Sequence, residues 1–190
     1  MEKKKVAGKI ILTIIGIAVA VFLLIGSINN LREKGTYYKG EVTNVTEFFS
    51  LKHTVNFIPT GKMYYYIALD ADTGDVIVFR ASKNFLKKNG NGTTYIEGKA
   101  TSLSTKSKEM LQSYDFDYKY GTGKAVNTEI KSYAIQSIAM VVAIIAFCII
   151  GIVNAKTGFL QKSKYFATIY YLLIVVVAVY SIHILTMMDF

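Results

Sequence analysis

Three long runs of hydrophobic residues dominate the pattern of this chain. They cover residues 10–28, 133–153 and 166–188, and none contains a charged side chain. A helix of about 20 such residues reaches across the ~30 Å hydrocarbon core of a bilayer. The pattern therefore predicts three transmembrane helices.

The first run follows three lysines, a combination that also describes a cleavable secretory signal peptide. Those lysines are Lys3, Lys4 and Lys5. The run is longer than the apolar core of a signal peptide, which has about 7–15 residues, and no clear small-x-small cleavage site follows it. We therefore interpret residues 10–28 as an uncleaved signal anchor.

Positive charge is densest beside the hydrophobic runs. Residues 1–9 hold four Lys and one Glu, and residues 154–165 hold three Lys and no acid. Lys and Arg near the ends of spans favour the cytoplasmic side of a membrane. The sequence thus predicts a multi-pass cell-membrane protein with a cytoplasmic basic tail at 1–9 and a cytoplasmic basic loop at 154–165. The segment 29–132 is then extracytoplasmic.

Between the first two runs the hydrophobic pattern changes to short segments typical of β-strands. These segments are rich in aromatic and β-branched residues and cover residues 38–48, 63–69, 76–80 and 93–103. Asp70 to Asp75 is predicted to form a hairpin turn, because Gly74 comes too early for a calcium-binding loop. A short helix is expected at 83–88.

This order of strand, hairpin, short helix and strand resembles the partly open barrel of the OB-fold. The resemblance implies a small, curled antiparallel sheet. The predicted fold class is therefore an α+β membrane protein, with three transmembrane helices and a small antiparallel, β-rich, OB-like domain inserted between the first and second. A further helix, capped by Thr105 or Ser107, is predicted to extend through Gln112, and residues 126–131 are expected to lead into the second span as a helix.

Composition argues against several kinds of chemistry. The net charge is +9, but the fifteen basic and eleven acidic residues of 29–132 are not clustered, so nucleic-acid binding is not expected. The one cysteine, Cys148, lies in an apolar run and excludes an intramolecular disulfide. With His53 as the only histidine of the central domain, no catalytic set is visible, and we predict neither enzymatic activity nor a cofactor or metal.

Nine tyrosines in 29–132 are the most suggestive feature of the domain. Tyrosine suits protein interfaces, but it also packs well in small cores, and the sequence leaves both alternatives open. The residues predicted to form an interaction surface are Tyr64, Tyr66, Tyr114, Tyr118 and Tyr120.

Small residues in the hydrophobic runs let helix backbones approach one another closely. Gly16 and Ala20 stand four apart in the first run, as Ala139 and Ala143 do in the second, where Gly151 follows. They predict helix packing within the bundle or self-association, although such spacings also arise by chance.

These features predict a non-enzymatic membrane protein that presents its β-domain for interaction with another envelope protein or with itself, in an accessory, sensory or regulatory role. Membrane lipid is the other expected partner. The alternatives are an immunity protein that intercepts an incoming toxin and a transporter component. Transport would use His183, the only ionisable side chain of the third run.

Overall fold

The computed structural model of the chain describes residues 2–32, 36–55 and 58–187. The side chains of residues 2–10 and 53–60, including Lys3, Lys4, Lys5 and His53, lie outside the described part, as does residue 188, the predicted end of the third run. The helices are α1 (Glu2–Leu31), α2 (Phe85–Asn89), α3 (Thr105–Gln112), α4 (Ile130–Thr157) and α5 (Lys164–Met187). The strands are β1 (Tyr37–Val55), β2 (Ile58–Asp70), β3 (Val76–Ala81), β4 (Thr94–Ser102) and β5 (Lys124–Asn127).

The chain divides into two compact units. One comprises residues 1–29 and 133–190, and the other comprises residues 30–132. Within α1, α4 and α5, the segments Thr13–Leu31, Ile130–Thr157 and Lys164–Met187 are long and apolar enough to cross a membrane. The prediction of three helices of spanning length is therefore confirmed.

The three long helices pack around a small apolar core. Its buried members are Ala20 and Leu23 of α1, Val141 and Ile144 of α4, and Ile184 of α5. Most of the remaining apolar side chains on these helices point outward, a pattern that suits helices surrounded by lipid.

The second unit contains a closed five-stranded barrel in the order β1-β2-β3-β5-β4. Four of its five strand pairs are antiparallel, but β3 and β5 are parallel where Phe79 and Arg80 meet Val126 and Asn127. The prediction of an antiparallel sheet is thus wrong in this respect, because residues 124–127 form a strand instead of a helical lead into α4. This short strand fills the gap between β3 and β4, which closes the barrel.

A bend in β1 allows one strand to pair on both sides. Its first part, up to Val42, pairs with β4, and the part from Val42 onward pairs with β2. Within the β1–β2 ladder the register shifts by one residue between Thr43 and Thr46, where Asn44 has a φ of 55° in the left-handed region that Asn tolerates better than most residues. Such bulges increase local twist and curvature, so this one helps the sheet to close.

Alternation along the strands sorts the side chains into two apolar clusters. The inner cluster consists of Tyr38, Val42, Val45, Tyr66, Ala68, Ile77, Phe79, Ala81, Ile96 and Val126. The outer cluster consists of Phe49, Tyr65, Val78, Leu103, Leu111, Tyr118 and Ala125. The sheet is therefore apolar on both faces at this place, and its outer face needs a cover.

Candidate interaction surface

A second bulge in β1 places two aromatic rings next to each other. Glu47 faces Tyr66 of β2, but Phe49 faces Tyr65, so Phe48 is an extra residue in the ladder. Phe49 stacks on Tyr65 at 4.7 Å between ring centres, and Phe48 lies 5.2 Å from Phe49. Because a bulge interrupts strict alternation, neighbouring residues can contact the same cluster.

The helix α3 covers the outer cluster. It begins after Ser104, whose hydroxyl accepts a hydrogen bond from the Ser107 backbone N–H, an arrangement typical of a helix N-cap. Its Leu111 side chain is fully buried in the outer cluster, and Met110 packs against the same cluster. Placing these side chains on the apolar face of the barrel removes that face from water.

The segment after α3 is held on the barrel by backbone and side-chain hydrogen bonds. The Tyr118 hydroxyl donates to the carbonyl of Leu111 at 3.2 Å. Tyr118 also forms a parallel bridge with Val76, the first residue of β3, and the Lys119 backbone N–H donates to the Val76 carbonyl at 2.9 Å. These bonds fix the backbone of residues 118–119 against β3.

Three aromatic side chains lie next to one another here, and we call them the aromatic row: Phe48 of β1, which is partly buried, and the half-exposed Tyr114 and Phe116 of the segment after α3. The ring centres of Phe48 and Tyr114 are 4.8 Å apart, and the rings of Tyr114 and Phe116 are nearly parallel at 6.2 Å. Tyr114 and Phe116 are each 48% exposed. The neighbouring Asp115 and Asp117 are exposed, so the row has an acidic border.

The sequence-predicted tyrosines divide between surface and core. Tyr114 is half exposed, but Tyr66 is fully buried in the inner cluster and Tyr118 is buried in the outer one. Tyr64 and Tyr120 are partly buried and pack against the inner cluster. Tyr66 and Tyr118 are thus core side chains rather than surface side chains, because strand alternation and the cover of α3 enclose them.

Sequence reasoning missed two members of the aromatic row, Phe48 and Phe116. Phe116 stands between Tyr114 and Tyr118, two residues predicted to form the surface, so composition alone could have included it. For Phe48, the only local hint of a surface role was that two phenylalanines, Phe48 and Phe49, stand next to each other. A bulge depends on the register with β2, which no local pattern reveals.

The small residues of the hydrophobic runs have different surroundings. A Cβ atom on Gly16 would lie 3.2 Å from the Cys148 sulfur, so α1 and α4 approach closely there, and Ala20 is buried in the helix core. A Cβ atom on Gly151 would lie 3.2 Å from the Tyr170 hydroxyl. Ala143 is half-buried and Ala139 is exposed. These contacts are packing within one chain, and the exposed Ala139 takes no part in it.

Polar groups of the long helices bond to one another near one end of the bundle. Ser27 and Ser137 both donate to the Leu23 carbonyl, at 2.6 and 3.0 Å. Tyr180 donates to the Gln136 side-chain oxygen at 2.8 Å. The His183 ring lies between the rings of Tyr133 and Tyr180, at 6.4 and 6.0 Å. Such interhelical bonds stabilise a bundle in lipid.

Comparison with known proteins adds no relative. The chain matches no protein-family model, no curated protein and no solved structure. Among the residues whose side chains the structure describes, no three His, Cys, Asp or Glu side chains come together as a metal-binding group.

Proposed function

We propose that this protein is a non-enzymatic membrane protein that holds an OB-like barrel outside the cytoplasm and uses it to bind another protein of the envelope. Three helices of spanning length support insertion into the membrane. The basic tail at 1–9 and the basic loop at 154–165 support a cytoplasmic position for both. Residues 30–132 then lie on the opposite side.

The OB-fold that the sequence resembles is a five-stranded barrel in which ligands bind on the face of the second and third strands and on the loops 1–2 and 4–5, and the barrel of this chain also has five strands. In this chain the corresponding outer face carries Tyr65 and Val78, and both are buried in the outer cluster. The cover is the connection between β4 and β5, which contains α3. The surface offered to a partner is therefore the cover itself.

The aromatic row on that cover is the observation that carries the proposal. Two of its rings, those of Tyr114 and Phe116, are half exposed, and aromatic residues are enriched in protein interfaces. Its acidic neighbours Asp115 and Asp117 would repel the phosphates of a nucleic acid, which favours a protein partner.

A photo-crosslinking amino acid at Phe116 tests the proposal in intact cells. Tyr95 is a matched control, because it is an aromatic residue of the same domain with 58% exposure and lies outside the aromatic row. We expect one discrete crosslinked protein from position 116, and Tyr114→Ser should abolish it. Equal products from positions 116 and 95, or none from either, would refute the proposed interface.

The orientation has its own test. Single cysteines at two exposed positions, Asn91→Cys in the barrel and Thr157→Cys at the end of α4, are introduced into a Cys148→Ser background. A membrane-impermeant maleimide should label position 91 in intact cells and position 157 only after lysis. The reverse pattern would place the barrel in the cytoplasm.

A further inference from the structure

We infer that the barrel binds the headgroup of an anionic phospholipid on a basic surface beside the start of α4. This lipid-facing surface is defined by Tyr37, Lys39, Lys99 and Lys131. The inference rests on the proposed insertion of the helices into a membrane, but it does not depend on a protein partner or on which side of the membrane the barrel lies.

The β1–β4 ladder brings part of this surface together. Tyr37 is paired with Lys99, and Lys39 is paired with Glu97. Burial alternates along β4, with Ile96 and Ala100 inside, so Glu97 and Lys99 share the outer side of the sheet. The cross-strand pairs therefore place two lysines, one tyrosine and one glutamate on a single patch.

Lys131 of α4 completes the patch. Its Nζ atom lies 3.1 Å from a carboxylate oxygen of Glu97 and 5.4 Å from the centre of the Tyr37 ring. The Nζ atom of Lys39 lies 5.4 Å from the same ring centre. The Nζ atoms of Lys39 and Lys131 thus lie beside the same ring, and the ladder places Lys99 opposite that tyrosine on the neighbouring strand.

The surface lies at headgroup depth because it includes a residue of the spanning helix itself. Lys131 is the second residue of α4 and stands two positions before the uncharged run that begins at Tyr133, about 3 Å along the helix axis. Arg32 directly follows the end of α1, so the connection from α1 to the barrel also carries a positive charge. Lysines at this depth extend their amines to the phosphate layer.

A lipid explains the combination of depth, charge and aromatic character better than a protein does. Basic residues at the membrane surface attract anionic headgroups, and tyrosine is enriched at the same level. If this surface instead bound an acidic segment of a protein, the chain would not distinguish anionic from zwitterionic lipids. A preference for the anionic lipid therefore separates a lipid partner from a protein partner.

The test is native mass spectrometry of the full-length chain in detergent, titrated with phosphatidylglycerol or phosphatidylcholine. We expect phosphatidylglycerol to be retained more strongly, by about fivefold or more. A variant in which all three lysines of the surface are neutralised should lose this preference. Its substitutions are Lys39→Gln, Lys99→Gln and Lys131→Gln.

A matched control removes the same charge elsewhere on the barrel. It neutralises three exposed lysines of α2 and the residues before it, Lys83→Gln, Lys87→Gln and Lys88→Gln. The control should keep the wild-type preference. If both triple variants lost the lipid preference equally, the preference would come from the overall charge of the chain, and the proposed site would be overturned. A wild-type chain that retains both lipids equally would also overturn it.

Two further measurements keep the outcome interpretable. The double variant Lys39→Gln/Lys99→Gln leaves the Lys131–Glu97 ion pair in place, so it decides the question if the triple variant unfolds. It should lower the preference for phosphatidylglycerol without lowering the melting temperature. Flotation with vesicles tests the membrane proposal separately, since a chain that floats but does not discriminate between the lipids overturns only the headgroup site.

Discussion

Lys119 forms an ion pair with Asp70, with its Nζ atom 2.5 Å from Oδ2 of the buried carboxylate. The other oxygen, Oδ1, accepts hydrogen bonds from the backbone N–H groups of Asp72 and Thr73 in the turn after β2. Burial alone would raise the pKa of Asp70, but Lys119 and the two amides more than offset it and lower that pKa. This ion pair connects the segment that contains Tyr114 and Phe116 to the turn between β2 and β3.

Replacing Lys119 should destabilise the barrel. Lys119→Met leaves the Asp70 carboxylate buried without its cation, and we expect a loss of about 2 kcal/mol in the free energy of unfolding. Chemical denaturation of the full chain in detergent measures it. Lys124→Met, at an exposed lysine in β5, is the control and should change stability little. Equal effects of the two substitutions would show that the ion pair contributes nothing specific.

Stability should fall in acid because of Asp70. Its pKa in the folded chain is lower than the ordinary value of 3.8, so its contribution is fully present above that value and is lost as pH falls through the folded pKa. Asp70→Asn should therefore be less stable than the wild type at neutral pH and show a flatter decline below pH 3.8. Melting temperatures between neutral and strongly acidic pH measure both, with exposed Asp115→Asn as control. Parallel curves for wild type and Asp70→Asn would contradict this assignment.

Local pattern was sufficient for the long helices but not for the closure of the sheet. The uncharged runs identify α1, α4 and α5, because a helix that can cross a bilayer must be long and apolar, and both properties can be read from the sequence. Strand alternation also predicts Tyr64 and Tyr66 on one face of β2 and Tyr65 on the other, and the two clusters agree with it. However, β5 has only four residues and is a strand because β3 and β4 lie on either side of it. Its identity is a tertiary effect that local propensity does not encode.

The candidate surface was predictable only in outline. Three tyrosines of the segment 114–120 were predicted to be surface residues, but which rings of this segment are exposed depends on α3 lying over the outer cluster. Tyr118 is buried because its hydroxyl reaches the Leu111 carbonyl, whereas Phe116 beside it stays half exposed. Two aromatic residues of one short segment thus differ in exposure because of how the segment packs against α3 and the barrel.

Gly98 should tolerate no side chain. A Cβ atom there would lie 2.4 Å from the carbonyl oxygen of Asn127, a backbone atom that cannot rotate away. We expect Gly98→Ala to cost about 3 kcal/mol or more, since β4 and β5 must separate. Gly92→Ala is the control, because its Cβ would meet nothing within 4 Å. Thermal unfolding of both variants measures the difference, and a Gly98→Ala chain as stable as Gly92→Ala would refute the close approach.

Gly16 should be required for the packing of α1 against α4. A valine there would push against the Cys148 sulfur, since even a Cβ atom at this position would lie 3.2 Å from that sulfur, and we expect Gly16→Val to cost about 1–3 kcal/mol. Ala139→Val changes an exposed position of α4 and should be tolerated. Thermal unfolding in detergent measures stability, and alkylation of Cys148 should become faster only in Gly16→Val. Unchanged Cys148 reactivity in both variants would argue against this helix contact.

Tyr66 should behave as a core residue and not as a binding residue. Its ring is fully buried and stacks on Phe79 at 5.5 Å, and its hydroxyl donates to the Ser82 carbonyl at 2.9 Å. Tyr66→Phe removes only the hydrogen bond and should cost about 1 kcal/mol, whereas Tyr66→Ala also leaves a cavity and should cost about 3–5 kcal/mol. Tyr95→Ala, at an exposed tyrosine, should change stability by less than about 0.5 kcal/mol. Denaturation of the three variants measures this order. A Tyr66→Ala chain that kept its stability but lost its crosslinked partner would instead place Tyr66 in the interface.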